Sequence, residues 1–251
     1  MKEFDEFVDI MKRLRKECPW DREQTHHSLK KHFVEEAYEA LDAIERNNFH
    51  DLEGELGDVA LQVAFHAIIA EEEGKFTLKD VFQAINEKLI RRHPHVYGDA
   101  VVNSSKEQTH LWDKIKMGEG RMSVLDGIPQ HFPALMKAEK VQRKASKVGF
   151  DWKEKEDVWK KVEEEIAELH EAVRANDKAK SEKEFGDVLF SLVNYARFIN
   201  VEPEEALHST VQKFSIRFHY IEEKLREAGK DIHQSTLKEM DQLWDEAKKQ
   251  T

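Results

Sequence analysis

The chain has 251 residues, with 51 acidic and 40 basic side chains, and carries a formal net charge of −11. That charge disfavours nucleic acid or an anionic membrane as the main partner, since either would be repelled without a concentrated basic face. Cys18 is the only cysteine, which excludes an intrachain disulfide and a cysteine-rich zinc site. No run of about 18 apolar residues can span a membrane, and the charged first twenty residues lack a signal-peptide core, so a cytoplasmic protein is expected. Ten Gly and five Pro are few for the length, while Ala, Leu, Glu and Lys dominate, so an all-α protein is expected.

Phe4, Phe7, Val8, Met11 and Leu14 recur at helical spacing up to Cys18-Pro19-Trp20-Asp21, where the proline ends the helix. A second helix is predicted from about Ser28 to Arg46, closed by Asn47-Asn48, and a third from Asp51 to Glu73, with Gly74 as its cap. A fourth runs from Thr77 to Arg92 and stops at His93-Pro94. Residues 119–133, with Asp126-Gly127-Ile128-Pro129, read as a linker between a domain at 1–118 and another at 134–251. The second half is predicted to contain helices over Ala134–Lys147, Lys155–Arg174, Ser181–Ile199 and Pro203–Ala228.

The halves are related. Glu35, Glu36, Glu39, Glu55 and Asp58 reappear as Glu164, Glu165, Glu168, Glu184 and Asp187, each 129 residues later. In so acidic a chain, such a five-acid pattern arises by chance on the order of 0.1 times, and far less often twice in one register, so the repeat is a signal. Leu111-Trp112-Asp113 likewise answers Leu243-Trp244-Asp245.

On a helix, Glu36 and Glu39 flank the apolar stripe of Phe33, Ala37, Ala40 and Ile44, and Glu55 and Asp58 border the stripe of the next helix. Antiparallel packing of the stripes can bring the four carboxylates together, and Glu165, Glu168, Glu184 and Asp187 can do the same. Such clusters require neutralisation, and hard divalent cations supply it through oxygen ligands. No histidine stands where a di-iron bundle would need one, so Mg²⁺ is favoured, with Mn²⁺ as a substitute. Mg²⁺ commonly binds through a few carboxylates plus substrate phosphates, which suggests a phosphorylated substrate. Lys88 and Arg92 correspond to Lys213 and Arg217 and offer counter-charge.

With these residues in view, the whole chain resembles the MazG family of nucleoside triphosphate pyrophosphohydrolases. The resemblance is carried by Cys18-Pro19-Trp20-Asp21, both acidic sets, Arg91-Arg92-His93-Pro94-His95-Val96, Asp126-Gly127-Ile128-Pro129 and Val148-Gly149-Phe150-Asp151-Trp152. It implies two tandem all-α domains, a homodimer, and Mg²⁺-dependent cleavage of the α–β phosphoanhydride of an NTP or dNTP to monophosphate and pyrophosphate. It also implies that Glu165, Glu168, Glu184 and Asp187 hold Mg²⁺ and that Lys213, Arg217, Trp244, Lys161 and Lys183 contact nucleotide. By the internal repeat, Glu36, Glu39, Glu55 and Asp58 form the matching metal set, with Lys88, Arg91, Arg92 and Trp112 on the substrate side. Glu35 and Glu164, further round from the ligand flank, are candidates for the catalytic base or for orienting the ligands.

Two other readings stand beside this one. A helical scaffold whose acidic grooves hold a cation or a basic partner predicts no Mg²⁺-dependent turnover. A prenyl-diphosphate synthase also holds Mg²⁺–diphosphate on acidic helices, but its motifs are Asp-rich, whereas these are Glu-led and doubled. His26, His27, His32, His93 and His95 lack familiar zinc-ligand spacing and read as surface or structural groups. Lys161 and Lys183 become His32 and Gly54 in the first half, which favours the second half as a working site.

Overall fold

The computed structural model describes residues 1–104, 107–108, 111–112, 115, 118 and 122–250. Among the sequence expectations, Asp113 and linker residues Glu119, Gly120 and Arg121 lie outside the described residues. Among those described, the regular structure is entirely helical. The chain divides into two compact units, Met1–Lys116 and Met117–Thr251.

The first unit contains α1 (Lys2–Glu17), α2 (Pro19–Glu23), α3 (His26–Glu45), α4 (Phe49–Glu72), α5 (Leu78–Arg92) and the single turn α6 (Pro94–Tyr97). Pro19 ends α1 and opens α2 at its first position, where a missing N–H costs nothing. α3 starts at His26, two residues before the predicted start, because the Thr25 hydroxyl accepts from the Ser28 N–H in a capping box. Asn47 adopts φ 51°, and the Asn48 side chain accepts from the N–H groups of His50 and Asp51. Asn48 therefore opens α4 rather than closing α3, and the two helices pack as an antiparallel hairpin.

α1 lies on α4, and α4 also meets α5. Met11, Leu29, Phe65 and Ile68 are at most 3% exposed and centre the core. Each such side chain stabilises the fold by about 1.5–3 kcal/mol relative to exposure. Arg15, also buried, donates to Glu72 of α4 and to the carbonyls of Asp21 and Gln24, pinning the Cys18–Asp21 break.

The second unit repeats the plan with α7 (Ala134–Ser146), α8 (Lys155–Arg174), α9 (Lys178–Phe198), α10 (Pro203–Glu227), a 3₁₀ turn (Ile232–Gln234) and α11 (Leu237–Ala247). Here Asn176 takes φ 53°, and Asp177 caps α9 by accepting from the Lys180 N–H, so α9 begins at Lys178 rather than Ser181. α8 and α9 form the matching hairpin, with α7 and α10 against α9. The loop before α7 is tied to it: Lys144 Nζ donates to the carbonyls of Val124 (3.0 Å) and Asp126 (2.7 Å), and Gly127 takes φ 78°.

Candidate metal centres and family

Each helix hairpin holds a group of carboxylates. In the first unit Glu36 of α3 and Glu55 and Asp58 of α4 place one oxygen each within 4.8 Å of one another. Glu39 is not in that triad, but its charge helps raise the carboxyls of both Glu36 and Glu55. Desolvation is the largest cause of both shifts, followed by neighbouring acids: Asp58 first for Glu36, and Glu39 then Asp58 for Glu55. Gln62, buried one turn beyond Asp58, hydrogen-bonds Glu36 and opposes the rise.

In the second unit the triad is Glu165 and Glu168 of α8 with Glu184 of α9. Asp187 is outside it but lines the same cavity as Glu165. Glu165 is only 7% exposed. Desolvation and then the charges of Glu184 and Glu165 push the Glu168 carboxyl up. Three carboxylates this close fit a hard cation held by oxygen.

Glu35 and Glu164 occupy neither triad. Glu35 meets His32 Nδ1 at 2.8 Å. Glu164 meets Lys161 Nζ at 2.9 Å, and the same ammonium reaches Glu165 at 2.6 Å. Those two carboxylates, Glu165 first, hold the Lys161 ammonium well above its ordinary range. Lys161 is thereby a strut between an exposed acid and a buried cluster member.

Lys213 and Arg217 stand one turn apart on α10, with the Arg217 guanidinium 5.6 Å from the ring centre of Trp244, which also packs on Phe214. In the first unit Lys88, Arg91 and Arg92 lie in the last turns of α5, and Trp112 is near His93, with ring centres 6.4 Å apart. Lys183 is exposed on α9 one residue before Glu184. The histidines serve local contacts: His26 and His66 stack with Nδ1 atoms 2.8 Å apart, and His93 Nδ1 meets the Leu89 carbonyl.

Several residues at these sites gave no signal in the sequence. A cavity of about 560 Å³ adjoins the second cluster. Its wall includes Gln142, Asn194 and the Arg197–Asp151 pair, in which Arg197 Nη1 donates to Asp151 Oδ2 at 2.9 Å. Asp151 lies in the motif Val148-Gly149-Phe150-Asp151-Trp152, which carries the family resemblance but no site role in the sequence, and single amides carry no pattern.

Fold and sites together define an all-helical protein in which two helix hairpins each present an oxygen-ligand cluster. The MazG nucleotide pyrophosphohydrolase domain profile matches residues 24–97 and 153–221, covering both hairpins. The nucleoside triphosphate pyrophosphohydrolase/pyrophosphatase MazG of Thermotoga maritima is 47% identical over 250 residues, covering 98% of this chain and 95% of its own. The nucleoside triphosphate pyrophosphohydrolase of Escherichia coli K12 is 43% identical over 259 residues, covering 100% and 98%. A solved structure of a mazG-related protein from Thermotoga maritima aligns to 45% of this chain and 98% of its own, at TM-score 0.41 and 25% identity. The chain belongs to the MazG nucleotide pyrophosphohydrolase family, with the domain present twice.

Proposed function

We propose that the chain hydrolyses nucleoside triphosphates at the α–β phosphoanhydride, with Mg²⁺ as cofactor, Mn²⁺ as a substitute, and the second unit as the principal site. The observation that carries this reading is the triad of Glu165, Glu168 and Glu184, whose mutual approach, with the Glu168 carboxyl pushed up by its neighbours, fits a divalent cation. When bound, Mg²⁺ neutralises phosphate oxygens and acidifies water. Water attacks the α-phosphorus, the bond from that phosphorus to the bridging oxygen breaks, and the products are monophosphate and pyrophosphate.

Around this step Glu165, Glu168, Glu184 and Asp187 hold the cation, while Lys213, Arg217 and Lys183 supply positive charge for the phosphates. Trp244 holds Arg217 and contacts the nucleotide. Glu164 has two roles open to it, proton acceptor or orienting partner of Glu165, and the Lys161 fork favours the second. Glu36, Glu39, Glu55 and Asp58 form a second cation site in the first unit, where Glu35 pairs with His32 and Lys88, Arg91, Arg92 and Trp112 provide the basic and aromatic side. The working form is a homodimer: α9 exposes Phe185, Leu189 and Leu192 and α10 exposes Leu207, Val211 and Phe214, both at i, i+4, i+7 spacing.

The test is product analysis of NTPs and dNTPs with Mg²⁺, using wild type, Glu36→Gln/Glu39→Gln and Glu165→Gln/Glu168→Gln. Monophosphate plus pyrophosphate from wild type, lost only in the second variant, is the expected result. No turnover of any nucleotide would leave the acidic scaffold as the better account.

A further inference from the structure

The cavity beside the second carboxylate cluster lies between α7, α8 and α9. One wall carries Lys161, Glu165 and Asp187, so a nucleotide whose phosphates meet a cation held by that cluster extends its nucleoside end into this space. Its volume of about 560 Å³ is ample for a nucleoside, and Val141, Ala145, Phe190 and the ring of Trp152 supply apolar surface. Gln142, 8% exposed, projects from α7 into the cavity wall. Its Nε2 donates to the Phe190 carbonyl at 2.8 Å, which fixes the amide orientation, and its Oε1 is buried without a hydrogen-bond partner. A buried acceptor left unsatisfied is costly, and its presence in a cavity wall calls for a donor on the ligand.

The neighbouring amide is fixed in the opposite sense. Asn194 Oδ1 accepts from Arg197 Nη2 at 3.0 Å and Nε at 3.3 Å, and Arg197 is itself held by Asp151, so Asn194 Nδ2 is the group left to donate. The first unit carries different residues at these two positions. In the 129-residue register Asn194 and Arg197 correspond to Phe65 and Ile68, which are 2% and 3% exposed and packed with Met11 and Leu29 in the core.

We infer that this cavity is the nucleobase site of the second unit and that Gln142 Oε1 accepts a hydrogen bond from an N–H on the base's Watson–Crick edge, with Asn194 donating beside it. The inference rests on the nucleoside triphosphate reading above. Phe65 and Ile68 fill the equivalent position in the first unit, so core side chains stand there in place of Asn194 and Arg197.

Purine riboside triphosphate tests the assignment, because it lacks the 6-amino group and has no N–H on that edge. Wild type is expected to prefer ATP over it by about tenfold or more in kcat/KM, since a site built around a hydrogen bond rejects the analogue without one. In Gln142→Leu the ratio is expected to fall toward one. Equal losses on both substrates, or no preference in wild type, would overturn the assignment. Photolabelling of the wild-type chain with 8-azido-ATP and Mg²⁺ is independent of turnover and of how the variant folds. Adducts within 141–152 or 190–197 are expected, and adducts confined to other segments would overturn the site. Labelling in the cavity without hydrolysis of any nucleotide would leave the base site standing and remove the hydrolase reading.

Discussion

Lys161 is a residue at which the two acidic clusters differ in their basic partner. Its ammonium bridges Glu164 and Glu165, whereas its counterpart His32 reaches Glu35 through a ring nitrogen whose charge depends on pH. Glu165 is buried, so removing the ammonium leaves a desolvated carboxylate without its direct partner. Lys161→Met is therefore expected to lower kcat/KM for nucleoside triphosphates by about tenfold or more, with partial retention in Lys161→Arg, as steady-state kinetics would show. An unchanged rate in Lys161→Met would remove the strut from the account. The acids around Lys161 were legible in the sequence because they recur in one register, and helix geometry turns that register into a shared flank. Gln142, Asn194 and Arg197 were not, because an amide or a guanidinium on a helix looks the same whether it faces solvent or a cavity.

The hairpin turns show the repeat in backbone form. Asn47 and Asn176 occupy the left-handed region at equivalent positions, where a β-carbon is crowded and Asn is tolerated better than most residues. Asn176→Ala should cost about 1 kcal/mol and Asn176→Gly should be neutral or stabilising, measured from urea midpoints at constant slope. At the start of α11 the Glu239 carboxyl is held down to about 2 from 4.5 by Lys230 first, then by the Thr236 N–H and hydroxyl. A depressed folded value gives a contribution that is complete above pH 4.5 and is lost as pH falls toward 2. Glu239→Gln should therefore flatten the acid limb of stability against pH, while an identical limb in both proteins would contradict the assignment.

The same elements also diverge. α9 ends three residues earlier than its counterpart α4 and the loop after it is one residue shorter, which shifts the offset of Lys88 and Arg92 to Lys213 and Arg217 from 129 to 125. Proline stops α5 at Arg92, whereas α10, with no proline after its first residue, continues to Glu227.

At the scale of the whole molecule, the two proposed cation sites predict a stability that depends on metal. Mg²⁺ at about 100 times the dissociation constant should stabilise a site by about 2.7 kcal/mol, read as a rise in Tm that EDTA reverses. Glu165→Gln/Glu168→Gln should lose the part owed to the second unit and keep the rest. An equal Mg²⁺ response in wild type and variant would argue against that cluster as a ligand set. The proposed homodimer should give a sedimentation mass twice that of the chain, and Leu192→Lys/Val211→Lys, on the exposed apolar stripes of α9 and α10, should reduce it toward the monomer.

By itself, the sequence determined that the chain is helical, that its plan occurs twice, and that each copy presents acids on adjacent helices, because periodicity and register are properties of the linear order. Tertiary structure alone decided which three carboxylates of each four converge, since that depends on where two helices cross. It also decided that Phe65 and Ile68 close the first unit's core while Asn194 and Arg197 border a cavity in the second. Packing against α1 or α7, distant along the chain, determines whether the same helix position becomes core or pocket.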